Sequence, residues 1–397
     1  VVFLSNFSVN RNYSHFLHGL LRLFCALLDA QWIIFNEVTK LFEFKVKYTL
    51  WLDQNWKVTD RNLDWFGSLV ESPENLRFLR VKKQGGCSKF STKQLLYGSG
   101  CYQMLPPEKW FGYADCRAAE LLPLFSSFMK QRVLPSFDGL AELSKLEVEI
   151  TNPGKRNPLI VGSTPTLYPL GPESTSSALT VFKPNKLVPV MTTSAPFTPV
   201  MTFAIRNQEK VTGQRVISNL HEVQTEIYNN MRVPMIMTNV TFELLGRRDM
   251  ISLMSNVHVF VSVHGAGMTN MFFMSPRSVV IEIIPWPLCD CKSPDYFYGM
   301  GGYYHGSAIA QGMRHYPYCI PKEDTKWASD TKHIAKENID ESGPCSWRYL
   351  HSVDAISINP ARFLSFYRMI ERDLVSSGVV KLRESSGIIS KSAWVNQ

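Results

Sequence analysis

The sequence predicts an α/β protein of two domains, and three observations carry that reading. At 397 residues the chain holds two to three domains at roughly 150 residues each, and 45% hydrophobic with 12% aromatic residues supplies material for their cores. Nine prolines between 151 and 200, among many Ser and Thr residues, mark an exposed connection with few donors for a continuous sheet. After it, short β-branched runs alternate with helical periods, the pattern of parallel strands covered on both faces.

The elements follow in order. Phe16, Leu20, Phe24 and Leu27 recur at helical spacing and predict a buried amphipathic helix over 13–29. A more polar stretch with Trp51, Trp56 and Trp65 precedes a second helix over 115–131, carrying Leu121, Leu122, Leu124, Phe125 and Phe128. Within the connection, 177–181 is a candidate strand. Beyond it, strands are expected over 200–205, 232–237, 257–263 and 278–284, with helices over 220–229, 242–254 and 268–274. Such a sheet binds ligands at the carboxyl ends of its strands. The Tyr-, Gly- and Cys-rich stretch after Pro285 reads as loops around a site or as an irregular extension. Pro360 then stands at a first helical position before Phe363, Phe366, Tyr367 and Ile370, which predicts a terminal helix. The domain reading is 1–150, a linker at 151–190, a second domain at 191–358, and a helix with tail at 359–397.

A net charge of +8 and a pI near 9.0 favour anionic partners without choosing among nucleic acid, an anionic membrane surface and a diphosphate. Nucleic acid fits least: neither Arg247-Arg248 nor the basic segment 80–83 interleaves with stacking residues. Eight cysteines, without a CxxC, exclude a small disulfide scaffold and argue for core thiols or a few lumenal bridges. Arg22 and Asp29 interrupt the apolar stretch 16–35, against a membrane span. The chain starts at Val1, so an anchor upstream is compatible with it. Sequons at Asn6, Asn12 and Asn239 are glycan acceptors only on a secretory route. GxSxG, HExxH and GxxxxGK[ST] are all missing, which removes three hydrolase classes. Asp290-Cys291-Lys292 lacks the second acid of a DxD metal site, so no divalent ion is expected.

The sharpest local feature is His264-Gly265-Ala266-Gly267-Met268-Thr269-Asn270 at the end of an apolar run. Its glycines either allow close approach of a ligand to free amides, a geometry that suits phosphate, or simply make a tight turn. His264 is a candidate for proton transfer or phosphate contact, or a ring satisfied locally. Thr269 and Asn270 offer sugar contacts or caps. Arg206 follows the first strand of the second domain, and Arg215 and Asn219 precede its first helix. Guanidinium forks there can grip phosphate oxygens, although isolated arginines are commonly surface charge. Glu282, inside Val279-Val280-Ile281-Glu282-Ile283, requires a partner if buried. Tyr304 and His305 belong to an aromatic cluster that lines a carbohydrate site or packs as core.

Taken together, these segments resemble the family 61 glycosyltransferases. The resemblance is carried by 257–285 around His264–Asn270, by Asn12-Tyr13-Ser14-His15-Phe16, and by Arg206 with 215–219. It implies a GT-B-like fold of two Rossmann-like domains facing a cleft, with 1–150 on the acceptor side and 191–358 binding the donor. It further implies an inverting transfer of xylose, arabinose or N-acetylglucosamine from a UDP-sugar to a glycoprotein glycan, protein hydroxyl or polysaccharide. A Golgi or endoplasmic reticulum lumenal location through an N-terminal signal-anchor is implied as well. UDP-sugar is then a substrate, with no tightly bound cofactor. His15 and His264 are the catalytic candidates. Arg206, Arg215, Asn219, Gly265, Ala266, Gly267, Thr269, Asn270 and Glu282 fall on the donor, and Asn12, Tyr13, Tyr304 and His305 on the acceptor side. The terminal helix either packs locally or crosses back to the first domain. Arg247-Arg248-Asp249-Met250 and Arg277 depart from the family pattern, which keeps a catalytically inactive carbohydrate-binding or scaffolding protein as the alternative.

Overall fold

The computed structural model describes residues 2–5, 13–53, 60–72, 75–79, 95–97, 118–134, 179–183, 186–189, 199–206, 215–233, 235–290, 303–327 and 352–376. The N-terminal half contains strand β1 (Val2–Ser5), helix α1 (Tyr13–Asp29), a hairpin of β2 (Ile33–Asn36) and β3 (Leu41–Phe44), then β4 (Thr49–Asp53), α2 (Asp60–Gly67), β5 (Leu76–Leu79), β6 (Leu95–Tyr97) and α3 (Ala118–Val133). Strands β5, β4, β1 and β6 form a parallel sheet in that order. Helix α1 is apolar at the predicted spacing: Leu17, Leu20, Leu21, Phe24 and Leu27 are buried. The Phe24 ring meets Phe42, Phe125 and Phe128. Gln131 of α3 secures the hairpin, accepting from Phe42 N and donating to Phe42 O.

The C-terminal half runs β7 (Leu179–Lys183), β8 (Lys186–Pro189), β9 (Val200–Ala204), β10 (Val216–Ile217), α4 (Leu220–Asn230), β11 (Ile236–Val240), α5 (Arg247–Asn256), β12 (Val259–Val263), a 3-10 helix over Ala266–Phe273, β13 (Val279–Ile284), α6 (Tyr303–Ala310), β14 (Arg314–Cys319), β15 (Thr325–Trp327), β16 (Val353–Ile356) and α7 (Pro360–Ser376). A seven-stranded sheet has the order β14-β13-β12-β9-β11-β7-β8. It is parallel from β14 through β11, and β7 and β8 add antiparallel strands at the far edge.

Strands β12 and β13 are buried at every position, and side-chain alternation divides them between two cores. Val259, Val261, Val263, Val279, Ile281 and Ile283 join α4 and α7 on one face. Phe260 and Val280 join α1, α3, α5 and α6 on the other. Each such aliphatic side chain contributes roughly 1.5–3 kcal/mol by leaving water. The described part of the terminal helix packs against α4 and the large sheet. The N-terminal helices share their core with residues from 240 to 313.

Several predicted elements shift for identifiable reasons. The strand expected over 232–237 begins only at Ile236, because the amides of Arg232 and Val233 are given to the Glu371 carboxylate and Pro234 has no amide to give. The helix expected over 242–254 splits into a 3-10 turn (Phe242–Leu244) and α5, with Gly246 extended between them. The stretch after Pro285 is not all loop: it holds α6 and β14, whose Pro317 is tolerated because β14 is an edge strand. Strands β7 and β8 lie within the stretch read as a linker. Asn239 is buried in β11 and accepts a hydrogen bond from Gln224, so its side chain is not at the surface of the fold. Cys289 and Cys319 form a disulfide that ties the chain after β13 to the end of β14. Cys25 is buried in the core of α1.

Candidate functional site

In the large sheet, β9 is followed by β11 on one side and by β12 on the other. The order reverses there, and in sheets of this kind ligands bind outside the carboxyl ends of the strands at such a switch point, here β9 and β12. Arg206 lies two residues beyond β9 and Gly265 two residues beyond β12. Arg215 comes from the opening of β10, where its amide bonds Val353 O. Its φ of 52° holds a bulky residue in the left-handed region.

Both guanidinium groups close on Gly265. A Cβ built on that residue would overlap Arg206 Nη2 and lie 3.0 Å from Arg215 Nη1, and its φ of 155° also excludes other side chains. Arg215 Nη1 donates to His264 O at 3.0 Å, and Tyr304 donates from its hydroxyl to Gly265 O at 2.6 Å. Tyr304 thus holds the bend from α6, with its ring edge-on to His264. Among the described residues neither arginine forms an ion pair with a carboxylate. Burial lowers the Arg206 pKa, partly offset by Glu243 and Tyr304. Burial first and then the like charge of Arg206 push Arg215 down to about 9. Arg215 Nε and Asn270 Oδ1 are buried without a hydrogen-bond partner.

A second cluster lies beside the first. His264 Nδ1 meets Glu282 Oε1, and His315 Nε2 lies 2.7 Å from Glu282 Oε2. Burial alone would raise the Glu282 carboxyl; the two imidazoles, His264 foremost, outweigh it and hold the pKa down at about 2. Glu282 is therefore ionised and accepts at both oxygens. His305 is exposed on α6 with its ring 5.5 Å from that of His315. Partial loss of water around its ring lowers its pKa, and His315 lowers it further.

The structure thus gathers Arg206, Arg215, His264, Gly265, Glu282 and Tyr304 at one sheet edge. Thr269 and Asn270 brace the turn, donating to Ala266 O and Gly267 O. Gly267 has open space about it. Asn219 is not brought in: its amide group is paired both ways with the backbone of Ile358. Asn12 and the side chains of Tyr13 and His15 lie outside the described residues, although α1, which contains positions 13 and 15, packs on the 3-10 helix after the bend. His315 escapes sequence reasoning, because β14 carries no clear strand signal and the register that sets His315 near Glu282 depends on that strand. Among the described residues, no three or more His, Cys, Asp or Glu are arranged to hold a metal ion, and no helix is long and apolar enough to cross a membrane.

The family model of glycosyltransferase 61 matches residues 13–281, a span that includes the bend and both arginines. The chain belongs to the glycosyltransferase 61 family. It is also 30% identical over 116 residues to a β-1,2-xylosyltransferase, XAX1, of Oryza sativa subsp. japonica. That match covers 28% of this chain and 18% of the rice protein. Within the departing segment 247–250, Met250, which stands where the family pattern has Gln, is buried in the core, and Arg247 makes a cross-link. Its guanidinium pairs with Asp64 at 2.9 Å and donates to Asp64 O and Ser68 Oγ, tying α5 to α2. Arg277 takes a positive φ of 70° in the turn before β13 and donates its amide to Gly312 O.

Proposed function

We propose that this glycosyltransferase family 61 protein transfers a sugar from a UDP-sugar to a hydroxyl of a glycan, glycoprotein or polysaccharide, with inversion at the anomeric carbon. The observation that carries the reading is the pair of guanidinium groups, Arg215 buried and Arg206 half-buried, unpaired with any carboxylate among the described residues and converging on Gly265 at the switch point of a parallel sheet. A buried cation beside a half-buried like charge is costly unless an anion joins them, and a diphosphate supplies one with the fork geometry that arginine matches. In this reading the amides of Gly265, Ala266 and Gly267 add donors at the head of the 3-10 helix.

The chemistry is a displacement. The acceptor oxygen bonds to the anomeric carbon as the bond from that carbon to the β-phosphate oxygen breaks, and its electron pair leaves with UDP. Arg206 and Arg215 neutralise the charge that develops on the diphosphate. The acceptor proton passes to Nε2 of His264, whose imidazolium is stabilised by ionised Glu282. Asn12, Tyr13, His15 and His305 belong to the acceptor side in this reading, while Tyr304 acts by holding the bend.

A division into an acceptor-side domain at 1–150 and a donor-binding domain at 191–358, two Rossmann-like units facing a cleft, accords with a parallel sheet in each half. The Cys289–Cys319 disulfide supports an oxidising compartment, which fits the Golgi or endoplasmic reticulum lumen. The name of the rice relative makes UDP-xylose the first donor to try, before UDP-arabinose and UDP-N-acetylglucosamine. The test is calorimetric titration with UDP and the three UDP-sugars, followed by transfer assays on glycan and polysaccharide acceptors. Saturable UDP binding that is lost in Arg206→Met and Arg215→Met is expected. Folded protein that binds no UDP-sugar would reject the reading.

A further inference from the structure

We infer that His315 is a positioning residue for His264, acting through the Glu282 carboxylate. The inference rests on the reading of His264 as the proton acceptor and extends it to a residue on a different strand. The His315 side chain is fully buried on β14, and its Nε2 meets Glu282 Oε2 at 2.7 Å while His264 Nδ1 takes the other oxygen. An ionised carboxylate only accepts, so both nitrogens that face it carry hydrogen. His264 is thereby fixed as the Nδ1–H tautomer, and the lone pair of its neutral ring is on Nε2, the atom that takes the proton.

His315 Nδ1 fits the same arrangement. It is buried with no hydrogen-bond partner, which a lone pair tolerates better than an N–H would. The ring of His305 stands edge-on to it from α6, and Arg215 holds the backbone of His264. Without His315, Oε2 is left buried with no donor. The carboxyl then gains by binding a proton, and the neutral acid can donate to His264 Nδ1. That moves the imidazole hydrogen to Nε2 and removes the base.

The experiment uses the full chain with ¹⁵N-labelled histidine, the His264 signals being assigned by their loss in His264→Gln. In the parent protein His264 is expected as the Nδ1–H tautomer. In His315→Leu it shifts towards Nε2–H, and in His315→Gln, whose amide reaches Oε2, it is restored. This readout needs no turnover, so it stands or falls separately from the assignment of sugar transfer. With a UDP-sugar that turns over, His315→Leu is expected to lower kcat roughly 10–100-fold while KM for the donor stays within about threefold, and His315→Gln recovers most of the loss. An unchanged His264 tautomer in folded His315→Leu would overturn the inference. If the Leu variant does not fold, His315→Asn, whose shorter amide falls short of Oε2, replaces it, and the same spectrum is read with the same two outcomes.

Discussion

Two charge clusters sit side by side at the carboxyl edge of the large sheet, and they are handled in opposite ways. Glu282 is balanced: each oxygen has an imidazole, and its pKa falls to about 2 despite burial. Arg206 and Arg215 are unbalanced: they repel one another, and burial pushes Arg215 down to about 9. A balanced buried charge is part of the fold's own structure, whereas an unbalanced one stores a cost that an incoming anion can relieve. On the proposed function, the contrast separates what holds the site from what would meet the diphosphate.

The largest expected effect comes from removing the unbalanced charge. Arg215→Met should weaken UDP binding by 100-fold or more, consistent with about 2–5 kcal/mol for a buried charge pair, as read by calorimetry. The same variant should be more stable than the parent without UDP, by on the order of 1–4 kcal/mol. The sign follows from the folded pKa of about 9, which lies below the ordinary arginine value. The charged side chain therefore opposes folding at all pH values below about 9, and the cost is relieved as pH rises above it. Thermal melts of the two proteins at roughly neutral pH and at about pH 10, on either side of that pKa, should show the variant's advantage shrinking. A variant less stable than the parent near neutral pH would mean that Arg215 is satisfied by the fold itself.

Removing the balanced charge should act in the other direction. Glu282→Gln leaves one imidazole without an acceptor and should cost about 3 kcal/mol. The folded pKa of Glu282 is about 2 against an ordinary 4.5, so its stabilisation is fully present above pH 4.5 and is lost as pH falls towards 2. Denaturant melts from about pH 7 down to about pH 2.5 should show the parent losing this increment and Glu282→Gln lacking it. Equal acid sensitivity in the two proteins would place the balance elsewhere.

The two clusters also differ in how legible they are from sequence. Arg206 and Gly265 are readable because each closely follows a strand whose apolar run is unambiguous, and strand ends are where parallel sheets bind. Glu282 is readable as a carboxylate needing a partner, and alternation along β12 and β13 sends Phe260 and Val280 to the same core. Its second partner is not readable. Arg-His-Tyr-Pro-Tyr-Cys lacks a clean alternation and contains a proline, so β14 emerges only from its pairing with β13. Asn219 misleads for a related reason: its partner is the backbone of Ile358, 139 residues away, and no local pattern reports such a contact. Tyr304 reads from sequence as an acceptor-side aromatic, and only the fold reveals its bond to Gly265.

The smallest effects test whether the bend is shaped by its arginines or is only a tight turn. Gly265 and Gly267 flank Ala266 and look equivalent in sequence, yet a Cβ at Gly265 would overlap Arg206 Nη2 and crowd the Arg215 guanidinium, and one at Gly267 meets nothing within 4 Å. Gly265→Ala should cost about 1–3 kcal/mol for the backbone conformation alone. It should also weaken UDP binding further, as the displaced Arg206 loses its place against the bend. Gly267→Ala should change unfolding free energy by less than about 0.5 kcal/mol, because it adds no strain and meets no neighbour. Equal destabilisation by the two substitutions would show that the turn demands glycine at both positions for its own sake. A loss of UDP binding in Gly265→Ala that Gly267→Ala does not share, on top of that backbone cost, would tie the demand to the two cations pressed against it.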